Sequence, residues 1–354
     1  MQRYRSASLL AAGVAALIGS SVTFASSMVA GTDVLRTYNL VVLGDLTSSS
    51  EVQGRTFVGG DLNGNSSNYQ VQPVTPSSGG TPGLTVVGDV NGGTKNLNNA
   101  SGAIIGGNVN SGFNLNGAAQ TVQVGGSIKN TNVNNNTVTS GLAANNPAFA
   151  QDLAQQKSLI ETSMTGLSYS LSKQEANSRF SISGNTGTFD AQPDAKGVAV
   201  FNISAADLDR IGEIKFNLNG SDTAIVNVSG AAIKLNDNFL GGTQNLGEHV
   251  IWNFQDAKSL SLTTAWGGSL LAPSAAATTG NYIQGSAVFG SLVQNGAMRI
   301  GTYAGSYYPP SNPGTPGDGS SGGTAVPEPG MLGLFGLAVA ILLFRRRRAY
   351  TTTS

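Results

Sequence analysis

The 354-residue chain contains no cysteine and a single histidine, His249. Disulfides, thiolate metal sites and histidine-rich metal clusters are thereby excluded, so packing and backbone hydrogen bonds alone must hold the fold together. A Ser-His-Asp triad would have to use His249, whose apolar neighbours Val250, Ile251 and Trp252 read instead as a buried strand. Charge is scarce as well, at 11% of residues. Setting aside Arg3, Arg5 and Arg345 to Arg348 leaves 13 basic residues against 18 acidic ones once Glu328 is excluded, a net charge near minus five. Nucleic acid and anionic lipid surfaces demand basic patches and do not suit such a body. The longest apolar runs stand at the two ends.

At the C-terminal end, Val326-Pro327-Glu328-Pro329-Gly330 precedes the uncharged run Met331 to Phe344, which stops at Arg345-Arg346-Arg347-Arg348. Fourteen residues at about 1.5 Å each give about 21 Å of helix, short of the ~30 Å hydrocarbon core, so the span from Val326 to Arg346 only just crosses. Moving four arginines through the bilayer centre costs on the order of 10 kcal/mol or more, which keeps them cytoplasmic. Pro327 and Pro329 keep their neighbourhood extended and open to a protease. This order of parts resembles the PEP-CTERM sorting signal of Gram-negative bacteria. The resemblance implies an exosortase-type membrane enzyme as partner, cutting near Pro327-Glu328-Pro329, with a membrane-anchored precursor and a cell-surface or extracellular product. An ordinary single-pass anchor that is never processed is the alternative.

The N-terminus carries Arg3 and Arg5, a short apolar stretch from Leu9 to Ile18, and Thr23-Phe24-Ala25 as a small-x-small site. These parts make a secretory signal peptide over residues 1–25, cleaved after Ala25 by the general secretion machinery, so that the inner membrane is only a transient host.

Between the ends, glycine is abundant, at 48 residues in the whole chain, and short apolar clusters recur around it. They are Leu43-Gly44-Asp45-Leu46, Val58-Gly59-Gly60-Asp61-Leu62, Val87-Gly88-Asp89-Val90, Ile105-Gly106-Gly107-Asn108-Val109 and Val124-Gly125-Gly126-Ser127-Ile128. The glycine ahead of the polar residue advances by steps of 16, 28, 19 and 19 residues. The long step holds the proline- and serine-rich stretch Gln72-Pro73 to Pro82-Gly83, which has the composition of a surface loop. A period near 18 predicts a mainly β body, a right-handed β-solenoid whose coils turn at these glycines. Asp or Asn beside each glycine suits the capping of turn amides, and the stretches Asn96 to Asn99 and Asn130 to Asn136 suit turns or side-chain ladders. Glycines 268 and 285 are again one coil apart, so the solenoid is expected to resume near Trp266.

One segment departs from the β pattern. Phe149, Leu153, Ile160, Met164, Leu167 and Leu171 share one helical face. Asn146 suits the cap and Pro147 the first turn, so a helix is expected over about 147–165, with Gly166 and the serines after it weakening its continuation. It is expected to pack on a flank of the solenoid; a partner-binding helix is the alternative. Phe180 to Phe254 reads as strands with a turn of helix at Ala205 to Arg210.

Tyr38-Asn39-Leu40-Val41-Val42-Leu43-Gly44-Asp45, Gly59-Gly60-Asp61, the central helix, Trp252-Asn253-Phe254 and Trp266-Gly267-Gly268-Ser269-Leu270-Leu271-Ala272-Pro273 together resemble the choice-of-anchor A family across residues 38–308. The resemblance implies an adhesin-like, ice-binding-like solenoid that acts in adhesion or matrix building, and it brings no catalytic residues. Residues 309–325 form a Pro-, Gly-, Ser- and Thr-rich linker to the 326–348 signal.

Candidate chemistry is sparse. Asp45, Asp61 and Asp89 fit turn capping, or Ca2+ held between coils, although Asn108 and Ser127 follow them in the series. Asp207 with Asp209, or Asp190 with Asp194, fit surface carboxylates or an acid pair of a glycoside hydrolase. The expected protein is an exported, non-enzymatic adhesin or matrix component of biofilm or exopolysaccharide, without cofactor. An ice-binding protein and a polysaccharide-degrading β-helix enzyme are the alternatives; the former requires a regular threonine array, and Thr137-Val138-Thr139 is not repeated at the coil period.

Overall fold

The computed structural model describes residues 29–74 and 80–309. Ala25 and the sorting segment Val326 to Arg348, with its apolar span 331–344, lie outside them. Among the described residues, no helix is long and apolar enough to cross a membrane.

The body is a stack of three-faced coils, whose faces carry short strands or, at Val90, Val109 and Ile128, single bridges. The first coil runs Leu40–Val42, Leu46–Ser48 and Glu51–Val52, and the next returns to the first face at Thr56–Val58. Register pairs Val41 with Phe57, Phe57 with Thr85, Thr85 with Ile104 and Ile104 with Gln123, all parallel. The steps of 16, 28, 19 and 19 residues read from the glycines are therefore the coil lengths. Gln72 to Gly83 interrupts the second coil between Ser67–Tyr69 and Leu84–Val86, as its composition implied.

The coils resume at Val198–Ser204, ahead of the expected Trp266. The C-terminal coils do not continue beyond Thr137–Thr139; they stack on the opposite side of the first coil. Leu40–Val42 lies between Thr56–Val58 and Ala287–Gln294, in the middle of an eleven-strand path that ends at Val198–Ser204. The chain winds outward from the middle, crosses to the far end in the long helix, and winds back.

That helix covers Pro147–Ser172, seven residues past the expected end. Gly166 costs the helix about 1 kcal/mol relative to Ala, but it faces open space. Leu167 and Leu171 continue the buried stripe of Ile160 and Met164, each contributing about 1.5–3 kcal/mol by burial. Tertiary packing thus outweighs local propensity. The stripe lies on the outer side of the first face, against Val41, Val200, Ile225, Ile251, Leu271 and Val288, while Leu40, Val42, Val226, Leu270 and Phe289 point into the solenoid. Two-sided burial explains why Leu40-Val41-Val42 and its counterparts are continuous apolar runs. Nearer its start, the helix passes over coil corners, where Leu153 and Phe149 crowd Gly106 and Gly125.

The helix end is held by an asparagine ladder. Asn253 Nδ2 donates to Asn227 Oδ1 at 2.8 Å, and Asn227 Nδ2 to Asn202 Oδ1 at 2.9 Å. The same amides donate to the carbonyls of Ser168, Leu171 and Gln174 at 2.8, 2.8 and 3.1 Å. The last carbonyls of a helix lack partners within it, and here the sheet supplies one to Leu171.

Two further elements close the body. A short helix, Thr32–Thr37, packs Val34 and Leu35 into the cluster beneath the long helix. The last described residues fold over it: Arg36 lies between the rings of Tyr303 and Tyr308, at 5.1 and 4.7 Å, and donates to the Gly305 carbonyl. Ala205–Leu208 forms the expected helical turn, with a capping box between Ser204 and Asp207. His249 ends another short helix, Leu246–His249, and is half-buried rather than a strand residue. Gly247 cannot carry a side chain against the Gly301 and Gln284 carbonyls, so the chain turns there.

Candidate functional surface

The corner between the first and second faces carries the aspartates. Asp45 Oδ1 accepts the Asp61 amide at 2.8 Å, Asp61 Oδ1 the Asp89 amide at 2.8 Å, and Asp89 Oδ1 the Asn108 amide at 2.6 Å. Asn108 Oδ1 then accepts the Ser127 amide at 3.0 Å. Each carboxylate binds the next coil's backbone, a turn-capping ladder running one residue per coil. A Cβ on Gly60, Gly88 or Gly107 would overlap the capping oxygen beneath it, which is why glycine recurs. Among the described residues, no group of three His, Cys, Asp or Glu side chains converges as metal ligands do.

The other acidic pairs take separate structural roles. Asp190 accepts from Asn217 and Asn219, bonds that hold its carboxyl below the usual range. Asp194 accepts the amides of Lys196 and Val198 in a turn. Asp207 caps Ser204, whose backbone and hydroxyl likewise lower its pKa. His249 Nδ1 meets the Asp222 carbonyl at 2.9 Å, whereas the Asp222 carboxylate accepts from Ser306.

Asparagine dominates the solvent side of the second and third faces. On the third face, Asn114 Nδ2 donates to Asn96 Oδ1 at 2.7 Å and Asn96 Nδ2 to Asn68 Oδ1 at 2.9 Å. Beside it, Asn116 Nδ2 donates to Asn98 Oδ1 at 3.1 Å. On the second face, Asn110 donates to Asn91 at 2.9 Å and Asn91 to Asn63 at 3.1 Å. These eight amides lie in register because the coils do, about 4.8 Å apart along the stack. Of the stretch Asn96 to Asn99, expected to form turns or ladders, Asn96 and Asn98 join ladders with Asn68, Asn114 and Asn116, while Asn63, Asn91 and Asn110 make a separate one that was not expected. Strand alternation around Leu62, Tyr69, Val90, Leu97 and Val109 could have revealed them.

Toward the other end the outward row changes character. Thr47 pairs in register with Val293, then Thr278, Ser261 and Lys234. It is not a threonine array.

Two charged groups lie inside. Lys95 alternates onto the side of Leu97 and is fully buried; its Nζ donates to the carbonyls of Asn65 at 2.7 Å and Gly64 at 3.2 Å. Burial pushes its pKa down to about 8. Asp237 is also fully buried, and neither of its carboxylate oxygens meets a donor from another residue. Burial, and next the negative charge of Asp209, push its carboxyl up to about 7.

Comparison with known proteins agrees with this architecture. Residues 31–300 match a family model described as "Putative Ice-binding-like adhesive domain", and residues 325–348 match the PEP-CTERM protein-sorting motif. No curated protein and no solved structure matches the chain.

Proposed function

We propose, from the premise that the chain belongs to the ice-binding-like adhesive domain family, that its folded body is a non-enzymatic adhesin or matrix component of biofilm or exopolysaccharide. The PEP-CTERM signal at residues 325–348 marks it as an exported surface protein handled by exosortase. The finer grouping as a choice-of-anchor A protein is part of this reading. So are cleavage after Ala25, processing near Pro327-Glu328-Pro329 and retention of Arg345 to Arg348 in the cytoplasm.

The observation that carries the reading is the joining of an adhesive-type solenoid to a sorting signal in one chain. The absence of a threonine array along Thr47, Val293, Thr278, Ser261 and Lys234 speaks against ice as the target. The engagement of Asp190 with Asn217 and Asn219, and of Asp194 and Asp207 in local turns, speaks against a glycan-cleaving pair.

Deletion of the gene tests it. Cells without the protein are expected to attach or build matrix less well, with recovery on return of the full chain but not of a chain ending before Val326. Attachment and matrix unchanged by deletion would refute the role.

A further inference from the structure

We infer that the protein binds an uncharged, hydroxyl-rich polysaccharide across the two faces lined by Asn63, Asn91 and Asn110 and by Asn68, Asn96 and Asn114. The inference deepens the adhesive reading and rests on it.

Charge argues for a neutral partner. Residues 56–120 contain only three charged side chains, Asp61, Asp89 and Lys95. Lys95 points into the core, and both aspartates accept the backbone amide of the next coil at the corner. A polyanion laid on these faces would find no free counter-charge, while losing its own hydration. Stacking is absent too, because Phe57, Tyr69 and Phe113 are all buried. Hydrogen bonding is the recognition chemistry that remains.

The ladders are built for that chemistry. An Asn amide has two N–H donors and two acceptor lone pairs, and a ladder bond consumes one donor on one side and one lone pair on the other. Asn63, Asn68, Asn91, Asn96, Asn110, Asn114 and Asn116 therefore keep polar capacity on the solvent side, whereas Asn98 spends its donors on the carbonyls of Tyr69 and Asn96. Their orientations are already fixed by their neighbours, which lowers the entropy lost on binding. A sugar hydroxyl both donates and accepts, matching a surface that offers both. The register repeats the same pair of groups every coil, so a polymer engages several weak sites at once.

Placement agrees. The first face is covered by the long helix. The last described residues lie on that covered side too, where the Tyr307 carbonyl accepts from Thr32 at 2.8 Å and Tyr308 reaches Asp33 at 3.5 Å. The asparagine faces are the other two faces of the solenoid, uncovered by the helix.

The mature chain, without its signal peptide, is run through native gels cast with hydroxyethyl cellulose, dextran or polygalacturonate. Retardation by at least one neutral polymer and not by polygalacturonate is expected. The triple variant Asn68→Ser, Asn96→Ser, Asn114→Ser should lose at least about tenfold in affinity, as expected when a repeated contact is removed. The single variant Asn114→Ser, at the exposed edge of the ladder, covers the case in which the triple variant does not fold, and should weaken retardation measurably. Thr47→Ala with Thr278→Ala, on the other half, should leave it unchanged. Retardation by polygalacturonate alone, no retardation by either neutral polymer, or full binding by the folded Asn variants would overturn the inference. Cells carrying the Asn variants separate this from the broader reading: attachment that persists there but vanishes on gene deletion refutes only the polysaccharide, whereas attachment indifferent to deletion refutes adhesion itself.

Discussion

Ser168 on the long helix and Asn253 on the first face are joined twice, through Ser168 Oγ to Asn253 Oδ1 at 2.6 Å and Asn253 Nδ2 to the Ser168 carbonyl at 2.8 Å. Both residues are buried, so neither has water as a substitute partner. The pair ties the helix to the coils that the chain reaches after crossing the stack.

Replacing Asn253 by Ala leaves buried groups of Ser168 and Asn227 unpaired. A loss of about 2–4 kcal/mol is expected from two such groups, read as a lower urea midpoint with unchanged slope. Asn114→Ala, on the exposed ladder, should cost less than about 1 kcal/mol by the same rule.

Two glycines should respond in opposite directions. At Gly107 a Cβ overlaps Asp89 Oδ1 and presses on the Gly88 carbonyl, so Gly107→Ala should destabilise by about 1–3 kcal/mol, the range for overpacking. At Gly166 nothing lies near the added atom, and Gly166→Ala should stabilise by about 0.5–1 kcal/mol through helix propensity. Thermal melts of the two variants check both.

Lys95 makes stability depend on alkaline pH. Its folded pKa, about 8, lies below the ordinary 10.5, so the unfolded chain binds the extra proton between these values. This contribution rises with pH above 8, and a burial penalty persists below it. Tyr69 and Tyr38, raised to about 12, oppose it above pH 10, so the clean window is pH 8 to 9.5. Urea midpoints of the native chain should rise relative to Lys95→Met across that window.

Asp237 acts in the acid range with the other sign. Its folded pKa of about 7 exceeds the ordinary 3.8, so the folded state binds more protons between these values. Its contribution is intact below pH 4 and is lost as pH rises through 7. Asp237→Asn should be more stable than the native chain at pH 8, with the gap closing toward pH 4.

The coil period was legible because one corner chemistry repeats: a glycine that admits the capping oxygen, followed by the cap for the next coil. The position of the helix was legible for the same kind of local reason, in the spacing of Phe149 through Leu171. The central place of Leu40–Val42 was not, since either neighbour in the stack satisfies a short apolar strand equally well and pairing is decided by the path of the helix. The Asn202, Asn227 and Asn253 ladder was hidden similarly, each residue looking like one polar position in an apolar run. Lys95 and Asp237 show the limit of composition. Alternation puts Lys95 beside Leu97, but only the stacked corner reveals the carbonyls that receive it, and nothing local marks Asp237 as buried.

Where the body resides and how its chain ends can be read in one experiment. Intact cells are labelled with a membrane-impermeant amine reagent, and the labelled protein is recovered and its C-terminus read by mass spectrometry. Labelled protein beginning after Ala25 and ending near Pro327-Glu328-Pro329 is the expected result. Unlabelled protein recovered from the cytosol with Arg345 to Arg348 still attached would contradict it.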